Sequence, residues 1–178
     1  MENPSAPVNL TTSPEPPATI CSAPGIDGPP PGRQAARTTM SLFTRILNGE
    51  IPGRFVWKDE HCAAFLTIAP IRPGHALVVP RQEIDSWLDA PPALTAHLFQ
   101  TAQHVAQGIK AAFPCTKVGL MIAGLEVPHM HIHLTPIDEI RDMDFARQDA
   151  KAQAEDLDAA AEKIRSALRS LGYSQVPA

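Results

Sequence analysis

Apolar and polar residues alternate over several short stretches of this chain, and over two longer ones apolar residues recur every third or fourth position. Alternation marks a strand with one buried face, and the wider spacing marks a helix with one buried stripe. Arg54–Lys58 and Ala63–Ile68 flank Asp59-Glu60-His61 and read as a hairpin. Ala76–Pro80 and Val118–Ile122 read as two further strands, and Val127–Thr135 as a fifth. Leu94, Leu98, Ala102, Val105 and Ile109 share one face of a helix that starts after Asp89 at Pro91-Pro92. A second helical region spans about Phe145 to Leu171, with Leu157, Ala161, Ile164, Leu168 and Leu171 on one stripe and Gly172 as its stop. That stripe either packs on its own domain or reaches across to a second copy. The acidic and basic run Asp138, Glu139, Arg141, Asp142, Asp144 reads as a solvated connector. The pattern predicts an α+β fold: a five-stranded antiparallel sheet with one main helix on it, plus a C-terminal helix.

The fifth stretch carries the chemistry. His129, His131 and His133 alternate with Met130, Ile132 and Leu134. On an extended strand the imidazoles line one face about 7 Å apart while the apolar residues enter a core on the other. Imidazole titrates near neutrality and serves as nucleophile, acid, base or metal ligand. The residues alone leave three readings: a bare polar strand face, a three-histidine metal site, and a metal-free catalytic site. His97 and His104 lie on the main helix and are assigned no chemistry.

His129-Met130-His131-Ile132-His133-Leu134-Thr135 resembles the His-φ-His-φ-His-φ-φ signature of the histidine triad (HIT) nucleotide-binding family. Ser41–Pro52 resembles the family's opening helix and turn, and Pro73–Pro80 its central strand. The likeness runs from Ser41 to about Ile137 and implies a HIT-like fold, close to the HINT branch, acting on a purine nucleotide at its α-phosphate without a cofactor or catalytic metal. It implies that His131 is the nucleophile and passes through a nucleotidyl-histidine, with His129 and His133 flanking the phosphate and His75 supporting them. It also implies a nucleotide pocket of Phe43, Ile46, Phe65, Thr67, Ile68 and Leu77, and a homodimer joined edge to edge. A nucleoside 5′-phosphoramidate is the first substrate expected, ahead of a dinucleoside polyphosphate or a nucleoside phosphosulfate.

The departures are as informative. Thr67 stands where many members carry an acidic residue for the ribose hydroxyls. The loop Gly119–Pro128 is several residues shorter than in relatives and has Leu125 in place of a phosphate-touching Gln. That leaves a nucleotide-binding module with weak or lost catalysis as the alternative. Some bacterial relatives hold a structural zinc with two cysteines and two histidines. Ser41, Thr44 and Glu83 stand at three of those positions, so no structural zinc is expected.

The chain's 178 residues, 44% hydrophobic, suffice for one domain with appendages. We divide it into a Pro-rich, disordered extension over residues 1–39, a HIT domain over 40–138 and a C-terminal helical extension over 139–178. The prolines between Pro4 and Pro31 motivate the first boundary, and Met40 is expected to be the functional start. A net charge of −4 argues against a nucleic-acid-binding surface. The absence of a long apolar run and of a basic, apolar leader, together with three unpaired cysteines (Cys21, Cys62, Cys115), leads us to expect a cytoplasmic protein with no membrane span.

Overall fold

The computed structural model describes residues 40–178; the extension expected over residues 1–39 lies outside the described residues. The first helix among the described residues is α1 (Leu42–Leu47), capped by Ser41, whose hydroxyl accepts the Thr44 N–H. The strands are β1 (Phe55–Lys58), β2 (Cys62–Leu66), β3 (Ala76–Pro80), β4 (Lys117–Met121) and β5 (Ile132–Ile137). They form one antiparallel sheet in the order β1-β2-β3-β5-β4. Helix α2 (Pro92–Ala112) joins β3 to β4, and helix α3 (Ala154–Ser170) ends the fold. This is the five-stranded α+β architecture the residue pattern predicts.

One expectation is corrected. The triad does not lie on a single extended strand, because β5 begins only at Ile132. Pro128 has no N–H to give a ladder. The His129 N–H turns back onto the Val127 carbonyl at 2.8 Å, and the Met130 N–H bonds Ile84 rather than a strand neighbour. His129 and His131 therefore sit in the approach to β5, and only His133 is in the ladder. The alternation of faces nevertheless survives, since Met130, Ile132 and Leu134 enter the main core.

That core lies between the sheet and the two long helices. Val56, Val78, Ile132 and Leu134 from the sheet meet Leu98, Val105 and Ile109 of α2 and Ile164 and Leu168 of α3. Gly108 lets the helices close up, because a Cβ there would stand 2.6 Å from the Leu168 side chain. The stripe on α3 thus packs onto its own chain. Beyond Gly172, which takes the left-handed φ of 88° that ends the helix, the last residues run along β1. The Lys58 N–H donates to the Gln175 carbonyl at 2.8 Å, and Arg165 Nη1 donates to the Phe55 carbonyl at 3.0 Å. The opposite face of the sheet carries a smaller apolar cluster of Phe43, Phe65, Leu77 and Val79, with Ile46, Leu47, Phe55 and Val127 packed against it.

The charged run after β5 is also corrected. It is not a free connector: Asp142 is buried, its Oδ2 accepting Arg72 Nη1 at 2.6 Å and its Oδ1 accepting Arg147 Nη1 at 2.8 Å. The Asp138 N–H adds a third bond at 2.9 Å. Hydrogen bonds from Asp138, Arg72 and Glu139 hold this carboxyl well below the usual carboxylate range. Two short 3-10 turns, Ile140–Met143 and Phe145–Arg147, follow from this anchor.

Candidate active site

Register sets the site's floor. Phe65 pairs with Leu77, Leu77 with His133, and His133 with Met121, so one row crosses four strands on the face opposite α2. Side chains at paired positions share a face. His133 therefore stands beside the small apolar cluster, and His75, one residue before β3, reaches it from the start of the neighbouring strand.

The hydrogen bonds fix the ring tautomers. The Ile71 N–H donates to His75 Nδ1 at 3.2 Å, so the proton of neutral His75 is on Nε2, which lies 3.0 Å from His133 Nδ1. His133 accepts there and keeps its own proton on Nε2. Burial holds His75 at about 4 and His133 at about 3, so both are neutral at pH 7. His131 Nδ1–H donates to the His129 carbonyl at 2.9 Å, which leaves the lone pair on Nε2. Burial also lowers the His131 pKa, favouring the neutral ring. The His131 and His133 rings lie 4.6 Å apart, and Phe43 meets His131 edge-on at 4.8 Å.

His129 departs from the phosphate-flanking role expected for it. Its ring is fully buried and both nitrogens are engaged: Nε2–H donates to the Pro80 carbonyl at 2.9 Å, and Nδ1 accepts the Ser41 hydroxyl at 2.7 Å. Behind Ser41 stand Thr44, whose hydroxyl donates to Glu83, and Glu83 itself, which also accepts the Ser41 N–H at 3.0 Å. These bonds anchor His129, whose backbone carbonyl is the one that accepts from His131 Nδ1. The sequence pattern assigned Ser41, Thr44 and Glu83 no role beyond lost zinc ligands, yet they form the support of that histidine. Two neutral hydroxyls and a carboxylate, mutually hydrogen-bonded, are a poor donor set for tetrahedral zinc, which takes thiolate and imidazole. The residues present do not fit that metal.

The three triad imidazoles do not converge on a point, because His129 turns to Pro80 and Ser41. Among the described residues, the group of at least three His, Cys, Asp or Glu donors within 4.8 Å of one another is Asp59, Cys62 and His97. It lies at the β1–β2 turn and on α2. There the Asp59 Oδ2 already accepts from Trp57 at 2.8 Å and pairs with His97 at 3.0 Å, while burial pushes the Cys62 thiol up to about 12.

Of the residues expected to form the nucleotide pocket, Phe43, Ile46, Phe65 and Leu77 come together in the small cluster. Ile68 stands apart from it, 75% exposed, and Thr67 uses its hydroxyl to accept the Ala69 N–H at 3.3 Å. On the other side of His131 and His133 opens a cavity of about 220 Å3, walled by the Ala123–Glu126 loop and Phe145. The Phe145 ring meets His133 edge-on at 4.9 Å. Phe145 was read only as the start of a helical region, and nothing in a single sequence ties it to a histidine twelve residues away. Two larger depressions, of about 410 and 530 Å3, are lined by no triad histidine. Size alone therefore does not locate the chemistry.

Comparison with known proteins agrees with this geometry. The HIT domain family matches residues 48–140. A HIT-like protein of Methanocaldococcus jannaschii is 33% identical over 101 residues, which are 54% of this chain and 78% of that protein. An adenylylsulfatase of Arabidopsis thaliana, HINT3, is 26% identical over 133 residues, covering 72% of this chain and 67% of its own. Among solved structures, a hypothetical histidine triad nucleotide-binding protein of Sulfolobus tokodaii superposes with a TM-score of 0.64 at 29% identity, covering 72% of this chain and 92% of that one.

Proposed function

This chain belongs to the HIT domain family, and from that premise we propose that it is a nucleotide hydrolase or transferase that cleaves at the α-phosphate of a purine nucleotide conjugate, with a nucleoside 5′-phosphoramidate as the model substrate. The observation that carries the reading is the state of His131. Its Nδ1–H is committed to a carbonyl, its ring is neutral, and its free Nε2 lone pair belongs to a ring lining an open cavity. A neutral imidazole in that state is a nucleophile at pH 7 and a good leaving group once substituted.

In the first step the Nε2 lone pair forms a bond to the α-phosphorus. The bond to the leaving group breaks, and the leaving group takes the electron pair together with a proton from solvent. His133 Nε2–H donates a hydrogen bond to a non-bridging phosphoryl oxygen, and His75 keeps that proton in place by filling the other ring nitrogen. In the second step water attacks phosphorus, gives up a proton to solvent, and returns the electron pair to Nε2. The apolar cluster around Phe43, Ile46, Phe65 and Leu77 holds the base and Thr67 serves the ribose hydroxyls, while Ile68 lies apart from the cluster.

The relatives support a nucleotide conjugate as substrate without fixing the leaving group, since the Arabidopsis protein is named for an adenylyl sulfate. Two copies would pair through β4, because the backbone of β1 is already engaged by Arg165 and Gln175. A nucleotide-binding module is the second reading, favoured by the short Ala123–Glu126 loop, which offers Leu125 where a polar side chain would touch phosphate.

The test is steady-state hydrolysis of adenosine 5′-phosphoramidate in the presence of a chelator, comparing wild type with His131→Asn, alongside mass spectrometry of acid-labile adducts after rapid mixing. Wild-type turnover, an adduct of one nucleotidyl group and loss of both in the variant are the expected results. Absence of wild-type turnover with retained AMP binding would favour the binding module and overturn the catalytic reading.

A further inference from the structure

Resting on that reading, we propose that the cavity beside His131 and His133 is a leaving-group subsite in which Leu125 and Phe145 select an organic amine with an apolar, aromatic-sized side chain and reject an anionic leaving group.

The walls come first. Leu125 is 94% exposed on the loop that walls the cavity, and a ligand seated there would cover part of its apolar surface. Phe145 is half-buried and supplies an aromatic wall opposite the loop. Covering such surface favours apolar ligands roughly in proportion to the area removed from water.

Charge points the same way. Among the described residues no lysine or arginine lines the cavity, and the one formally charged side chain lining it is Glu126. Departure of a phosphate, polyphosphate or sulfate normally calls for arginine, lysine or a metal ion at the oxygens where charge accumulates. Here that charge would build up beside a carboxylate and two histidines held neutral by burial. An amine departs as a neutral or cationic species and meets no such opposition.

The wall is also rigid. Phe145 follows directly from the segment pinned by Asp142, which bonds Arg72 and Arg147, while Asp144 accepts the Ala146 N–H at 2.9 Å. A preformed wall spends little binding free energy on ordering itself.

The experiment compares kcat/KM for three adenosine 5′-phosphoramidates: the unsubstituted amide, the phenethylamide, and the conjugate through the amino group of phenylalanine, which adds only a carboxylate. Wild type is expected to favour the phenethylamide at least about tenfold over the unsubstituted amide, and at least about tenfold over the phenylalanine conjugate. Phe145→Ala is expected to bring the first ratio below about threefold. Leu125→Gln, at a position too exposed to affect folding, is expected to reduce it in the same direction. The same ratios are read as dissociation constants on His131→Asn, so that a catalytically inert protein still decides the question. Equal values for the three ligands, or ratios unmoved in both variants, would overturn the subsite. Turnover of none, with the phenethylamide still bound tenfold more tightly, would overturn the catalytic reading and leave the subsite standing.

Discussion

The two faces of the sheet are built from the same strands and obey different rules. On the helical face, Ile132, Leu134, Leu98 and Ile164 are apolar, fully buried and surrounded by others of their kind. On the histidine face, four apolar residues form a small cluster beside a chain of polar groups, each satisfied by a specific partner. The first face stabilises by area, which is tolerant of detail; the second works by direction, because a hydrogen bond depends on a donor pointing at an acceptor. One alternating segment serves both, so a single strand can be robust on one side and exacting on the other.

The sharpest way to separate the faces is His131→Asn. Activity is expected to fall about a thousandfold or more while the thermal midpoint moves by no more than a few degrees, read by steady-state kinetics and a melting curve. A large loss of stability would break the distinction. Ile164→Ala is the counterpart on the other face: about 2–4 kcal/mol less stable in urea unfolding, with KM unchanged at temperatures well below the transition.

The pH dependence is smaller and has a definite sign. His75 and His133 have folded values of about 4 and 3, below their ordinary value, so between there and about pH 6.5 the unfolded chain binds more protons than the folded one. Their contribution to stability is whole above about pH 6.5 and is lost as the pH falls, by about 1.4 kcal/mol per unit for each ring within that window. Urea midpoints at pH 7.5 and 5.0 check this. Because burial lowers the His131 pKa too, kcat/KM is expected to fall on the acid side with a midpoint below the ordinary imidazole value. Last, Ser41→Ala removes the hydroxyl bonded to His129 and the cap of α1, for about 1 kcal/mol of stability. Its kcat should fall several-fold with KM and the pH profile unaltered, since it acts on the carbonyl behind the nucleophile.

Much of this was legible in the residues. The helix stripes, the hairpin around Asp59-Glu60-His61 and the central strand follow from period and turn chemistry, which are local. The proposal of His131 as nucleophile rests on the triad's resemblance to its family, and the free lone pair that supports it comes from the structure. What a single sequence withheld depends on contacts between distant positions. Arg72 meets Asp142 across seventy residues and Ser41 meets His129 across eighty-eight, and neither leaves a periodic trace. The late start of β5 was hidden for another reason. Extended backbone and strand ladder look alike in alternation, and the His129 N–H bonding back to Val127 and the Met130 N–H bonding Ile84 distinguish them.

The docking of the C-terminal residues along β1 bears on how this protein behaves when concentrated. A sheet with two free edges can add strands at both and so grow without limit. Here the Lys58 N–H and the Phe55 carbonyl are already taken by Gln175 and Arg165, so these two backbone groups of β1 are withheld from an added strand. Removing the residues after Gly172 would free the Lys58 N–H while Arg165, on α3, would still hold the Phe55 carbonyl, so the edge of β1 is guarded twice, by two separate parts of the chain.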